Sequence, residues 1–314
     1  MATRTDIRSF LYSSIMLVVL VFAADQLVGL FLEDLVLKQK KGEFHEISHA
    51  LKHVDEDVLI FGSSRAVRHY DPNVISDSLR LSAFNVGKLG NTLLYSDAVF
   101  AQILLFHRPK MVILDISPIE FAKSERERGK KSMVNALLKF REFPAIENRL
   151  QTVSPRELLL SKIFRTYKFN SALYTLLIND SGKSDLNESK GFQARHGVMV
   201  TSHLVNEHNQ DYVEDPFMVK TFHNFLKNAK KNNIEVNVVI SPTTLKQTNT
   251  SVAKIKTITR SYGFNFIDLS LRPEFRNISF YYDKTHLNET GAKKFSKLLG
   301  GTLRYDRKLI AKKL

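Results

Sequence analysis

Residues Asp57–Arg68 read D-V-L-I-F-G-S-S-R-A-V-R, and the fold is decided there. Val58, Leu59, Ile60 and Phe61 form an unbroken apolar run, as expected of a strand buried on both faces. Gly62 ends the run, and Ser63, Ser64 and Arg65 lead into a segment able to form a helix. A serine at such a turn stands at the carboxyl edge of a sheet, beside helix N–H groups that favour developing negative charge. That placement suits a nucleophile. The plainer reading is a helix cap, a role for which serine is strongly preferred.

The same alternation extends in both directions along the chain. Further strands are expected at Ala83–Val86, at Met111–Ile116 (stopped by Ser117-Pro118), at Val236–Ile240 (closed by Ser241-Pro242) and at Phe264–Leu269. Helical spacing is expected over Ala66–Leu79 with a break near Asp71-Pro72, and over Thr92–Phe106, Pro216–Lys231, Val252–Tyr262 and Asn288–Leu299, the last ended by Gly300-Gly301. Strands alternating with helices predict a three-layer α/β domain with a parallel sheet of about five strands in flavodoxin-like order. It would be assembled from residues 57–119 and 216–314. Residues 120–215 break the rhythm: Ser154-Pro155-Arg156-Glu157 reads as a helix start and Asn179–Lys190 as a polar loop. This region is expected to be a mostly helical insertion carried on the sheet's carboxyl edge.

At the N-terminus, residues 1–9 carry Arg4 and Arg8, and no residue from Phe10 to Ala24 is charged. Residues 10–32 are long enough to cross a bilayer, which takes about 20 residues. The preceding basic residues favour a cytoplasmic start with the remainder exported. A signal peptide cleaved near Val21-Phe22-Ala23 is the alternative. Asp25 and Gln26 fall toward the far end of the span, within reach of water. Residues 33–56 read as a charged stalk or a first helix. The chain has no cysteine, which excludes a disulfide scaffold and thiolate metal sites. A net charge of +14 would suit an anionic partner, but the basic residues are spread out and no DNA- or RNA-binding motif accompanies them.

Chemistry concentrates in Tyr282-Asp283-Lys284-Thr285-His286-Leu287-Asn288. A carboxylate three residues before a histidine can bend back to accept from Nδ1–H, leaving Nε2 free to take a proton from a hydroxyl. Asp283 as a turn residue and His286 as a helix-entry residue is the competing reading. The order Ser64, then Asp283 and His286 before a last helix, favours the chemical one.

On these residues the chain resembles the SGNH, or GDSL-type, hydrolases, particularly the membrane-anchored members associated with O-acylation of envelope polysaccharide or teichoic acid. Gly62-Ser63-Ser64 is similar to the family's first block and implies Ser64 as nucleophile. Asn85-Val86-Gly87-Lys88-Leu89-Gly90 is similar to the second, implying the N–H of Gly90 as an oxyanion donor beside that of Ser64. Asp283 and His286 match the last block in full. The third block departs: Leu114-Asp115-Ile116-Ser117-Pro118-Ile119-Glu120 has no oxyanion-donating Asn. Such a donor can be worth about 3 kcal/mol in the transition state. Arg65 or a group from the insertion is the candidate replacement, and Arg65 and Asn85 are candidates for substrate or oxyanion support. The resemblance implies an extracytoplasmic serine esterase or O-acyltransferase acting on an acylated envelope glycan, with no metal or organic cofactor. A membrane-bound acyltransferase is the candidate partner, and a non-catalytic assembly or glycan-binding protein of the same fold is the rival.

Three further features compete. His45, His49 and His53 recur every four residues beside Glu43 and Glu46, as a metal site or, more simply, as one face of a helix. His196 and His203 in the insertion are either structural or substrate-facing. Gly87-Lys88-Leu89-Gly90 lacks the ending of a phosphate loop.

Overall fold

Val58–Phe61 forms β1, buried at all four positions. It pairs in parallel with β2 (Ala83–Asn85) on one side and β3 (Met111–Asp115) on the other. The structure is a computed structural model describing residues 4–170, 172, 173, 176, 188–200, 213–245 and 249–311. A short antiparallel hairpin follows, β4 (Glu188–Ser189) with β5 (Phe192–Gln193). The sheet is completed by β6 (Glu235–Ile240) beside β3 and β7 (Asn265–Asp268) at the edge. Its order is β2-β1-β3-β6-β7, all parallel. This is an α/β fold compatible with flavodoxin-like topology, and the order reverses between β1 and β3, where ligands of such sheets bind.

Each strand serves both faces with period two. Leu59, Phe61, Val112, Leu114, Val236 and Val238 point into one core; Val58, Ile60, Met111, Ile113 and Val239 point into the other. In chain order the helices are α1 (Arg4–Lys38), α2 (Gly42–Lys52), α3 (Ser64–His69), α4 (Pro72–Leu79), α5 (Leu93–Ile103), α6 (Glu125–Leu137), α7 (Pro144–Val153), α8 (Pro155–Ile163), α9 (Pro216–Lys231), α10 (Asn249–Ser261) and α11 (Glu289–Ala311). The first core takes α2, α5 and α9, and the second takes α4 and α11.

One expectation changes and one alternative is decided. The helix expected to end at Leu299 runs through Gly300-Gly301 to Ala311. A Cβ at Gly300 would stand 2.5 Å from Ser78 Cβ, so this glycine admits α4 against α11 and does not stop the helix. Of the two readings of residues 33–56, a stalk or a first helix, the structure has helix. α1 continues to Lys38, and α2 lays Phe44, Ile47, Ala50 and Leu51 into the first core. Each large apolar side chain so buried is worth about 1.5–3 kcal/mol.

α1 has two parts. Residues 4–24 are exposed throughout except Ser14, and an 18-residue window of the helix has mean hydropathy 2.4, long and apolar enough to cross a membrane. From Gly29 onward Leu32 and Val36 are buried against the domain. Asp25 is met by the domain: its carboxylate accepts from the N–H of Arg165 (2.6 Å) and of Thr166 (3.2 Å) and from the Thr166 hydroxyl. Gln26 donates to Ile163 O at 3.1 Å, and Glu33 pairs with Lys168 at 2.7 Å and Arg165 at 3.3 Å.

The described part of the insertion is α6–α8, a 3-10 turn at Arg165–Phe169 and the β4–β5 hairpin, the last unexpected. Phe121–Lys123 and Val213–Asp215 hydrogen-bond across its neck. Residues 179–187 of the expected polar loop lie outside the described residues.

Candidate active site

Gly62 makes the turn after β1. Its φ is +145°, and a Cβ there would lie 2.7 Å from Asp115 O and 2.9 Å from Ala66 Cβ, so a larger residue would push α3 off the sheet. Ser63 takes the N-cap position, yet its side chain makes no capping bond. Ser64 is the first residue of α3 and is half-buried. The simple capping role is therefore not the one adopted.

Ser64 Oγ lies 2.7 Å from His286 Nε2, across 222 positions of chain. His286 Nδ1 faces Asp283, 2.9 Å from Oδ2 and 3.0 Å from Oδ1. An ionised carboxylate only accepts, so Nδ1 carries the proton and Nε2 accepts from the Ser64 hydroxyl. Asp283 also does the turn's work, because its Oδ1 accepts from the N–H groups of Thr285 (2.8 Å) and His286 (2.9 Å). The turn role of Asp283 and its contact with the His286 ring are compatible in one geometry. The loop is closed below by the Tyr281–Leu287 bridge and by Tyr282 N–H to His286 O at 2.9 Å. Burial alone would raise the Asp283 carboxyl, but the hydrogen bonds from His286 and Thr285 outweigh it and hold it below its ordinary value.

One supporting residue carries no sequence signal. His69, the last residue of α3, is fully buried and accepts from Leu287 N–H through Nε2 at 3.0 Å. Its Nδ1–H therefore donates to Ser241 Oγ, 3.0 Å away. Burial, then Arg65 and His286 nearby, push the His69 pKa well down, so it is a neutral brace between α3 and the Asp283–Leu287 loop. Its spacing from Ser64 resembles no motif; only the fold brings Leu287 to it.

Arg65 and Asn85 are held by other groups. Arg65 Nη2 stands 3.0 Å from Asp115 Oδ2, an ion pair by distance though not aligned as a hydrogen bond. Both side chains are buried, and Asp115 also accepts from Tyr70 OH at 2.7 Å. Arg65 thus anchors α3 to β3 and does not face the Ser64 hydroxyl. Asn85 donates to Ala66 O (2.7 Å) and Tyr70 O (3.0 Å) and accepts from Gly87 N–H (3.0 Å), so backbone groups occupy it. Lys88 N–H donates to Gly62 O at 3.1 Å and ties this loop to the serine turn; Gly90 is exposed two residues further on. At the departed third block Glu120 is buried. Its carboxylate accepts from Ser117 N–H (3.1 Å) and Leu93 N–H (2.9 Å), and burial raises its pKa to about 7.

The insertion reaches this edge. Arg195 O accepts from Glu289 N–H, Gly197 O from the Asn288 amide, and the Arg195 guanidinium lies over the Tyr282 ring at 5.0 Å. His196 pairs with Glu289 at 3.0 Å and is exposed; His203 lies outside the described residues. His45, His49 and His53 line α2 with ring centroids 6.5 and 6.4 Å apart, and His49 packs on Phe84. Among the described residues no group of three His, Asp or Glu side chains is arranged to hold a metal. No family model and no curated protein matches this sequence, so the geometry of these side chains is the ground on which a function rests.

Proposed function

We propose that the protein is a serine-dependent acyl esterase or O-acyltransferase of SGNH type, held at a membrane by α1 and acting outside the cytoplasm on an acylated envelope glycan. The observation that carries this is the continuous relay Ser64–His286–Asp283, at 2.7 and 2.9 Å, on the carboxyl edge of the sheet. Ser64 Oγ attacks the acyl carbonyl as its proton passes to His286 Nε2. Asp283 keeps the imidazole in the accepting tautomer and stabilises the imidazolium. The N–H groups of Ser64 and Gly90 receive the oxyanion. His286 then returns the proton to the departing alkoxide, leaving an acyl-serine. Water or a sugar hydroxyl, deprotonated by His286, completes the cycle and sets hydrolysis or transfer. None of these steps calls for a metal or organic cofactor.

The basic residues Arg4 and Arg8 before the apolar stretch support export of the domain, where envelope glycans and a membrane-bound acyltransferase partner would be met. The full chain, treated with a fluorophosphonate, is expected to label in wild type and not in Ser64→Ala or His286→Ala. Absence of labelling in folded wild type would sink the enzyme reading. One observation favours the alternative, a glycan-binding or assembly protein of this fold: the third-block stretch Leu114–Glu120 has no Asn, and its Glu120 carboxylate is buried and bound to backbone N–H groups.

A further inference from the structure

α8 and the turn after it leave three large apolar side chains uncovered: Leu159 (58% exposed), Ile163 (43%) and Phe164 (44%). Ile163 and Phe164 are pinned in height, because Ile163 O accepts from Gln26 and the next residues, Arg165 and Thr166, donate to Asp25. The face therefore stands level with the point where the apolar part of α1 gives way to its docked part. On the flank of α1 turned from the domain, apolar exposure continues past that level, with Leu27 at 68%, Leu30 at 48% and Phe31 at 61%. Lipid that covers those residues reaches the height of Ile163 and Phe164. A hydrocarbon core of about 30 Å takes about 20 helical residues, so a span that starts at Phe10 ends about one turn past Asp25, near the height of Ile163 and Phe164.

Charge points the same way. Beside this face a cleft of about 360 Å³ gathers Lys139, Arg141, Lys162, Arg165 and Lys168 against Glu33, Glu142 and Glu147, an excess of cations. Arg156 is exposed on the same helix. Aromatic and aliphatic side chains flanked by Lys and Arg are the composition of a segment lying in a headgroup layer.

We infer that Leu159, Ile163 and Phe164 are embedded in the surface of the anionic phospholipid bilayer that α1 crosses, so that the domain is seated on the membrane as well as tethered to it. This rests on the anchor reading above. The chain contains no Trp, so a single introduced Trp is an unambiguous reporter. Full-length Leu159→Trp and Phe164→Trp would be placed in nanodiscs of anionic phospholipid, with and without bromine on the upper acyl chain. Tyr305→Trp serves as control, because Tyr305 is exposed on α11, which packs on the opposite face of the sheet from α1. Blue-shifted emission and strong bromine quenching at positions 159 and 164, with the control unquenched, is the expected result. Quenching at 159 and 164 no greater than at 305, in a chain that resists alkaline carbonate extraction, overturns the seating alone and leaves the face to a membrane protein. A chain released by carbonate overturns the anchor reading and the seating together.

Discussion

Two polar clusters in this molecule each join residues far apart in the chain, and they end differently. At the Asp25 grip the carboxylate meets three donors from Arg165 and Thr166, about 140 positions away, and the cluster closes on itself. At the Ser64 edge the chain of contacts runs from Asp283 through His286 to a hydroxyl that is half-buried. One cluster is saturated; the other terminates in a serine oxygen 2.7 Å from an imidazole nitrogen. A saturated cluster holds parts together, whereas an open-ended one leaves a hydroxyl able to meet a ligand.

The strongest way to break that contrast is Asp283→Asn. The side-chain oxygen can still accept from Thr285 and His286, so the loop stays closed, but the imidazole loses the partner that fixes its tautomer. Acylation of Ser64 is expected to slow by about 10³–10⁴-fold, read as the rate of fluorophosphonate labelling. An unchanged rate would mean the open end is not reactive. Next in size is Asp25→Asn, which weakens charge-assisted bonds worth about 1.5–3 kcal/mol each. It should leave labelling intact while speeding proteolysis within residues 163–170, and equal cleavage of variant and wild type would show that the grip holds nothing. The smallest effect concerns Glu120. Its folded pKa of about 7 exceeds the ordinary 4.5, so between those values the folded chain binds its proton more tightly than the unfolded chain does. Its contribution is present below about pH 4.5 and lost as pH rises through about 7. Urea midpoints in Glu120→Gln should lose that part of the slope, while the part from Asp97, raised by burial to about 7, remains.

Strands were readable in the sequence because burial on both faces demands unbroken apolar runs, and Val58–Phe61 matches its run residue for residue. The Asp283–His286 pair was readable because a three-residue spacing is local geometry. Arg65 misled because adjacency in sequence is not adjacency in space. One residue along a helix turns the side chain by about 100°, and Arg65 faces Asp115 while Ser64 faces His286. His69 was invisible because its partner is the backbone of Leu287, 218 positions on. Gly300 was misread because a stop signal and a close helix approach use the same residue. The residues around Asp25 gave a polarity clue, but the donors that answer it belong to an insertion without a motif.

The unbroken run of α1 from Arg4 to Lys38 sets how the molecule can search its surroundings. A flexible leash over Asp25–Lys38 would let the domain wander by about 20 Å. A helical strut held at Asp25 and Glu33 gives no such reach, so in a chain anchored through α1 the Ser64 edge would keep a single height. Were the glycan proposed above its substrate, the polymer would have to be threaded past that edge, and the spacing of modified sugars would follow how the strand is fed, not where the protein roams.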